Sequence, residues 1–472
     1  MLARCWMRFG WGIALLLSAG GAAACSLGQM PLPPQAEPSQ AKPPVLLPQA
    51  PPESPADNNA APVARPGEVY QQALKPLDLV RSSLDNWSDA ELGALTAGIH
   101  MAREACGQIS IGMADGQDLY DLIRLCALGQ DWTRSNTAAV KYIASGEDAH
   151  RAQAYAMSLN ALTHMNATED AVKTAQEMLR TLPYDGEVAY ALRYFVTYLT
   201  HSSDPAALAL ATQEHAAIVE ALQTGLPLKA VHGDAVMGVG ELFDSGLRLA
   251  FLQRYAGDDR GAESTYADLD RALTKAGAVS ATDYQLISSA ETQYKLLGVR
   301  LPEIDAQRVL TAPMAKTKVG SNPGYVTVFA IFPDWCPQCA KAMQGLSEFA
   351  AEHAAAKVHA VGLMVRDSKS ETDSKPEAGA KLEAGPQPDY KALKGTATVS
   401  VTKEAVQVFS PVEYPLIVVT DPEGVVYFVG LIPDNAFVPN GYMEQVIGRI
   451  VGEKAVVRNA PAGKTKPAAK KP

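Results

Sequence analysis

The sequence predicts a multidomain chain, an all-α helical array followed by an α/β domain. Three observations lead there. The chain has 472 residues, and a prior of about 150 residues per domain suggests two or three domains. From about Glu68 to Gly298 it is rich in Ala and Leu, with apolar residues recurring at helical spacing. After Asn322-Pro323-Gly324 the texture changes, and Tyr325 to Phe332 is an apolar run that reads as a buried strand. With 47% hydrophobic and 19% charged residues, most of the chain can bury a core, which excludes global disorder. Six cysteines are too few for a disulfide-built scaffold. A net charge of -10 with 7% aromatic residues argues against a nucleic-acid partner.

Residues 1–25 carry Arg4 and Arg8, an apolar stretch from Trp11 to Leu17 and a small-residue run ending Ala22-Ala23-Ala24. This is the layout of a secretory signal, and the apolar run is too short to span a bilayer. Cys25 follows directly, so two routes are open: cleavage after the Ala-x-Ala, or lipidation of Cys25 as the new N-terminus. The site resembles a bacterial lipoprotein box, with Ala22 where that family usually has Leu. The expectation is a periplasmic or cell-envelope protein, tethered to a membrane by lipid on Cys25. Residues 26–67 form a linker, and twelve of its prolines fall within residues 31–66 with no glycine among them. Such a segment packs no core and favours extended polyproline conformations, the behaviour of a semi-rigid spacer. At the other end, residues 453–472 form a Pro/Ala/Lys tail of net charge +5, expected to be disordered. Setting aside +2 from residues 1–30, -1 from 31–66 and +5 from the tail leaves -16 on the body between them.

Residues 68–300 are expected to be helical. Ala171, Ala175, Met178, Leu179 and Leu182 share one face of a helix started by Thr168-Glu169-Asp170 and stopped by Pro183. The preceding helix, about Ala149 to Met165, turns Tyr155, Leu159 and Leu162 inward, and Asn166-Ala167 is the turn. This hairpin of about 34 residues resembles the tetratricopeptide repeat. Leu159 and Ala175 depart from that pattern, where a glycine and an aromatic are usual. Further helical segments are read over Asp204–Leu222, Ala230–Tyr255 and Asp258–Ala276. An array of this kind implies a surface for a protein partner, or a plain structural role. Cys106 and Cys126 lie at the end of one helix and inside the next. In an oxidising compartment they are expected to form a structural disulfide, two buried free thiols being the alternative. No histidine has a partner at ligand spacing, so no metal site is expected.

Residues 301–322 read as a linker and 323–452 as the α/β domain. Its first strand runs into Asp334-Trp335-Cys336-Pro337-Gln338-Cys339, followed by a helical stretch from Ala340 to about His353. Strand, Cys-x-x-Cys and helix in this order place Cys336 at a helix N-terminus, where backbone N–H groups and the helix dipole favour the thiolate. Cys339, one turn further in, is more shielded. The spacing suits exchange, because Cys339 must reach a mixed disulfide on Cys336 without the helix unfolding. A bare CxxC is also half of a zinc site, but no second cysteine pair or Cys-His pair is present to complete four ligands.

The domain resembles a thioredoxin-like domain of the exported, TlpA-like kind. Beyond the motif, Lys357–Val365 reads as the next parallel strand, and Val412–Thr420 with Val425–Val429 as two strands joined at Asp421–Gly424. A helix over about Gly441–Val451 closes the domain. The resemblance implies that Pro415 is cis and faces the cysteine pair. It also implies that Tyr414 presents its backbone to the substrate chain, with Trp335, Pro337 and Gln338 around the site. Three departures stand out. Ala330 occupies the place of the buried acid six residues before the first cysteine, and Ala342 that of a glutamate three residues after the second. Asp334 is the nearby carboxylate, expected to face solvent. Slow or oxidant-biased exchange is expected from this loss of proton acceptors. The third departure is a polar insertion over residues 366–397, read as a surface loop, with Thr402–Phe409 as a short helix after it.

The function expected from these features is thiol:disulfide exchange with protein substrates and an upstream redox partner. Cys336 attacks, Cys339 resolves, and no bound cofactor takes part. The competing reading is a partner-binding adaptor lipoprotein whose thioredoxin-like domain is redox-inactive.

Overall fold

A computed structural model describes residues 65–80, 89–199, 204–232, 234–310, 318–334, 336–366, 396–431, 437 and 442–452. The expected signal segment, Cys25, nearly all of the proline-rich linker, most of the insertion and the basic tail therefore lie outside the described residues.

The chain first forms helices α1 (Pro66–Val80), α2 (Asp89–Gln108), α3 (Gly116–Leu128), α4 (Trp132–Ser145), α5 (Arg151–His164) and α6 (Thr168–Thr181). They are followed by α7 (Gly186–Leu199), α8 (Pro205–Gln223), α9 (Val239–Tyr255), α10 (Asp259–Ala276) and α11 (Ala281–Leu296). Several helix starts are capped. The carboxylates of Asp131, Asp204 and Asp258 and the hydroxyl of Ser280 accept from first-turn N–H groups, which satisfies donors the helix leaves unpaired. The α5–α6 hairpin turns at Asn166, whose φ of 56° is left-handed, a conformation asparagine tolerates well.

Helix α6 begins at Thr168 as expected, with Glu169 and Asp170 in its first turn, and Ala167 at the N-cap supplies no side-chain hydrogen bond. Helix α5 is buried from Gln153 to Leu162, on every face rather than along one inner stripe, because α3, α4, α6 and α7 surround it. Residues 230–232 and 234–238 are not helical. A short hairpin, β1 (Leu228–Lys229) with β2 (Val236–Met237), lies there and packs on α7, so α9 begins only at Val239.

After α11 come β3 (Ile304–Asp305), β4 (Arg308–Val309), β5 (Lys318–Val319), β6 (Val326–Pro333), α12 (Pro337–Glu352) and β7 (Val358–Arg366). The chain ends in β8 (Thr396–Thr402), β9 (Leu416–Thr420), β10 (Val426–Gly430) and α13 (Tyr442–Val451). Six strands form one mixed sheet in the order β10-β9-β6-β7-β8-β4. Strands β6, β7 and β8 are parallel, and β9, β10 and β4 run antiparallel to their neighbours. Residues 301–322 are thus not a plain linker, since β4 extends the sheet edge and β3 pairs with β5. The insertion is shorter than read, because β8 begins at Thr396. Thr402–Phe409 is a strand end, a turn and a single 3-10 turn at Gln407–Phe409.

The sheet is buried on both faces. One face, Val326, Val328, Ala330 and Phe332 of β6 among it, packs on Met343, Leu346 and Phe349 of α12 and on Met443, Val446 and Ile447 of α13. The other, with Phe329, Ile331, Val361, Leu363, Val399 and Val418, shares a continuous core with Phe251 of α9 and Ile287, Ala290 and Tyr294 of α11. The helical region therefore supplies the second layer that a doubly covered sheet needs. Beyond α11 the backbone also joins the sheet: Gly298 N–H donates to Val426, Val426 N–H to Val299, and Leu301 N–H to Gly424. Among the described residues no helix is long and apolar enough to cross a membrane.

Candidate functional site: a cysteine pair at a helix N-terminus

Strand β6 is apolar except for Thr327, its eight residues are all buried, and it lies between β9 and β7, so it delivers the chain rigidly to the end of the sheet at Pro333. There Cys336 N–H donates to Pro333 O at 3.3 Å, closing a tight turn, and Cys336 takes the N-cap position of α12. Pro337 is the first helical residue, where a missing N–H costs nothing and the fixed φ suits the helix. One turn on, Cys339 comes back to the same face, and the two are joined as a disulfide with Cα atoms 5.3 Å apart. The pair belongs to the apolar cluster on the α12 side of the sheet, with Phe332, Met343 and Ile417. Cys336 is 5% exposed and Cys339 0%, so the first sulfur is the one an incoming group meets.

The Tyr414–Pro415 peptide bond is cis. Its placement follows from register: Leu416 opposite Ile331 is the last pair between β9 and β6. Pro415 is the next residue, level with the end of β6 that leads into Cys336. Tyr414 is half-buried and packs against both cores, the α12 side and the α11 side. The strand expected over Val412–Thr420 begins only at Leu416, which leaves the residues before the proline as a loop. Trp335 and the side chains of Pro337 and Gln338 lie outside what is described.

The two positions that lack an acid are both close to the pair in the fold. Ala330 is buried on the α12 face of β6, and Ala342 is half-buried on α12. A row of small residues, Ala330, Gly362 and Thr398, crosses β6, β7 and β8 in register. An added Cβ on Gly362 would stand 2.8 Å from Met343 Cε, so the glycine lets the core methionine sit down on the sheet. Asp334 does not simply face solvent: its carboxylate is 3.7 Å from Arg366 Nε, at the end of β7. Arg366 was not singled out from sequence.

Cys106 and Cys126 are both fully buried and bonded to each other, joining α2 to α3. They belong to a different core cluster from Cys336 and Cys339. Among the described residues no group of three or more His, Cys, Asp or Glu side chains is placed to hold a metal ion.

No protein-family model matches the chain, and no curated relative matches it. Two solved structures do. One is dsbF of MTB in mixed oxidised and reduced forms, 21% identical, with a TM-score of 0.19 over 27% of this chain and 82% of that one. The other is a Chlorobium tepidum protein described as a thiol:disulfide interchange protein DsbE. It is 15% identical, with a TM-score of 0.22 over 32% of this chain and 99% of that one.

Proposed function

We propose that the chain is an exported thiol:disulfide oxidoreductase with a thioredoxin-like C-terminal domain. The observation that carries this reading is the bonded Cys336–Cys339 pair at the N-terminus of α12, beside the loop that ends in Pro415. In the reducing direction, the Cys336 thiolate attacks one sulfur of a substrate disulfide. The substrate S–S bond breaks, its second sulfur leaves as a thiolate and takes up a proton, and a mixed disulfide forms on Cys336. The Cys339 thiolate then attacks Cys336 Sγ, releasing the first substrate sulfur as a thiol. The substrate gains two electrons and the pair becomes the disulfide. The oxidising direction is the same sequence reversed, and an upstream dithiol or disulfide partner resets the pair. On this reading no bound cofactor is required. The helix N-terminus stabilises the attacking thiolate, and the greater burial of Cys339 keeps it for the resolving step.

The signal-like segment and Cys25 support placement in the periplasm or cell envelope, tethered by lipid behind a proline-rich spacer. A protein partner on the helical array belongs to the same proposal.

Insulin reduction by the wild type and by Cys336→Ser tests the exchange activity. Loss in the variant is expected; equal rates in both would leave the adaptor reading. The reduction potential of the pair then sets direction, with a value near about -270 mV marking a reductase and one near about -120 mV an oxidant.

A further inference from the structure

We propose that the helical region is part of the exchange machinery: Arg193 of α7 is a positioning residue that holds the Ser410–Pro415 loop in place through Glu413. This rests on the thiol:disulfide reading above. The two residues are 220 positions apart, yet Arg193 Nη2 lies 3.3 Å from Glu413 Oε1. The same guanidinium reaches Glu241 at 3.3 Å and Asp244 at 3.5 Å, and Asp244 is also paired with Arg248. The side chain of Arg193 is 6% exposed and that of Glu413 16%. Burial opposes the charge on Arg193, but Glu413 and Asp244 outweigh it and hold its pKa well above the ordinary arginine value. A guanidinium so enclosed has fixed geometry, unlike an exposed ion pair that samples many arrangements.

The loop is tied at a second point. Ser289 Oγ of α11 donates to the Ser410 carbonyl at 2.5 Å, and Gln293 Nε2 donates to Ser289 Oγ at 3.2 Å. Strand β9 anchors the other end. A cavity of about 50 Å³ lies between the loop and the helices, lined by Arg193, Asp244, Arg248, Ser289, Gln293 and Glu413 among others. The loop is thus bridged to α7 and α11 by directional polar contacts, and its Tyr414 packs against both cores. Its position depends on those contacts. Tyr414 and Pro415 follow Glu413 directly, so moving the Glu413 carboxylate moves the backbone that an extended substrate chain would meet. A small thiol needs only the sulfur of Cys336 and no such backbone contact.

The two substrate classes therefore separate a positioning role from a merely structural one. The full chain is compared with Glu413→Gln, Arg193→Lys and Arg193→Met in two assays: reduction of insulin, and reduction of the Cys336–Cys339 disulfide by dithiothreitol. Glu413→Gln is expected to lower kcat/KM for insulin by about 10-fold or more, carried by KM, since misplacement near 1 Å is enough for such losses. Its rate with dithiothreitol stays within about twofold of wild type, and Arg193→Lys falls between Glu413→Gln and wild type. Wild-type kinetics on insulin for Glu413→Gln, or parallel losses in both assays, overturn the proposal. If Arg193→Met does not fold, Glu413→Gln still decides, because it leaves Arg193 paired with Glu241 and Asp244. A wild type no faster than Cys336→Ser is the distinct result that refutes the exchange reading itself.

Discussion

Replacing Glu214 by Gln should remove much of the stability this protein loses as pH rises from 4.5 to about 8. Glu214 lies on α8, 1% exposed, and accepts a hydrogen bond from Tyr184 Oη at 3.3 Å. Burial pushes its carboxyl pKa from 4.5 up to about 8, with the Tyr184 hydrogen bond opposing part of the rise. The folded protein therefore keeps this proton between pH 4.5 and about 8, where the unfolded chain has released it. The unfolded state binds fewer protons in that window, so stability is full below pH 4.5 and falls as pH rises, until the folded carboxyl also ionises. The slope is about 1.4 kcal/mol per pH unit, and across the window the loss is about 4–5 kcal/mol. That is a large part of the 5–15 kcal/mol typical of a folded domain. Glutamine carries no charge to desolvate, and its carbonyl can still accept from Tyr184. Urea unfolding followed by circular dichroism at pH 5, 6, 7 and 8 measures the difference. The variant should match wild type within about 1 kcal/mol at pH 5, the value of one rearranged hydrogen bond, and exceed it by several at pH 8. Glu187, raised by burial to about 7, contributes the same slope to both proteins and cancels in the difference. Parallel curves from pH 5 to 8 would refute the reasoning.

Three further outcomes are expected. Replacing both Cys106 and Cys126 by Ala opens a link of 20 residues' separation and should cost about 3 kcal/mol in urea unfolding, while the reduction potential of Cys336–Cys339 is unchanged because the two pairs occupy separate cores. Gly129→Ala would place a Cβ 2.5 Å from Arg103 N; α2 and α3 must then part, lowering stability by about 1–3 kcal/mol, and a wild-type melting curve would show that the helices are not held that close. Ala342→Glu puts a proton acceptor on α12 beside the resolving cysteine at a half-buried position. It should speed release of a trapped mixed disulfide by about 10-fold to 100-fold, and an unchanged rate would show that the Cys339 proton leaves by another path.

The parts of the fold that sequence made legible are those with a local signal. The β6 run, the CxxC pair and the α12 start all lie between Val326 and Cys339, and their order alone places Cys336 at a helix N-terminus. The α5–α6 hairpin was legible for the same reason, from the apolar stripe of α6 and the Asn166-Ala167 turn. Strand β8 was missed because Thr396-Ala397-Thr398-Val399-Ser400-Val401-Thr402 is polar enough to look like the insertion before it. Its β-branched residues at five of seven positions were the signal. Strand β4 has only two residues and exists because β8 offers an edge to pair with.

What the chain determined by itself is which faces are apolar, where helices start and stop, and which two sulfurs can meet within one helical turn. Only the tertiary structure decided what covers those faces. Continuous apolar runs show that β6 and β7 are buried on both faces, but not that Ile287, Ala290 and Tyr294 of α11 cover one of them. The same holds for Arg193 and Glu413. Each reads as an ordinary charged residue in sequence, and an ion pair across 220 positions has no local signature. Packing of the helical region onto the sheet brings them together, because burying an apolar face fixes the place of every polar group at its rim.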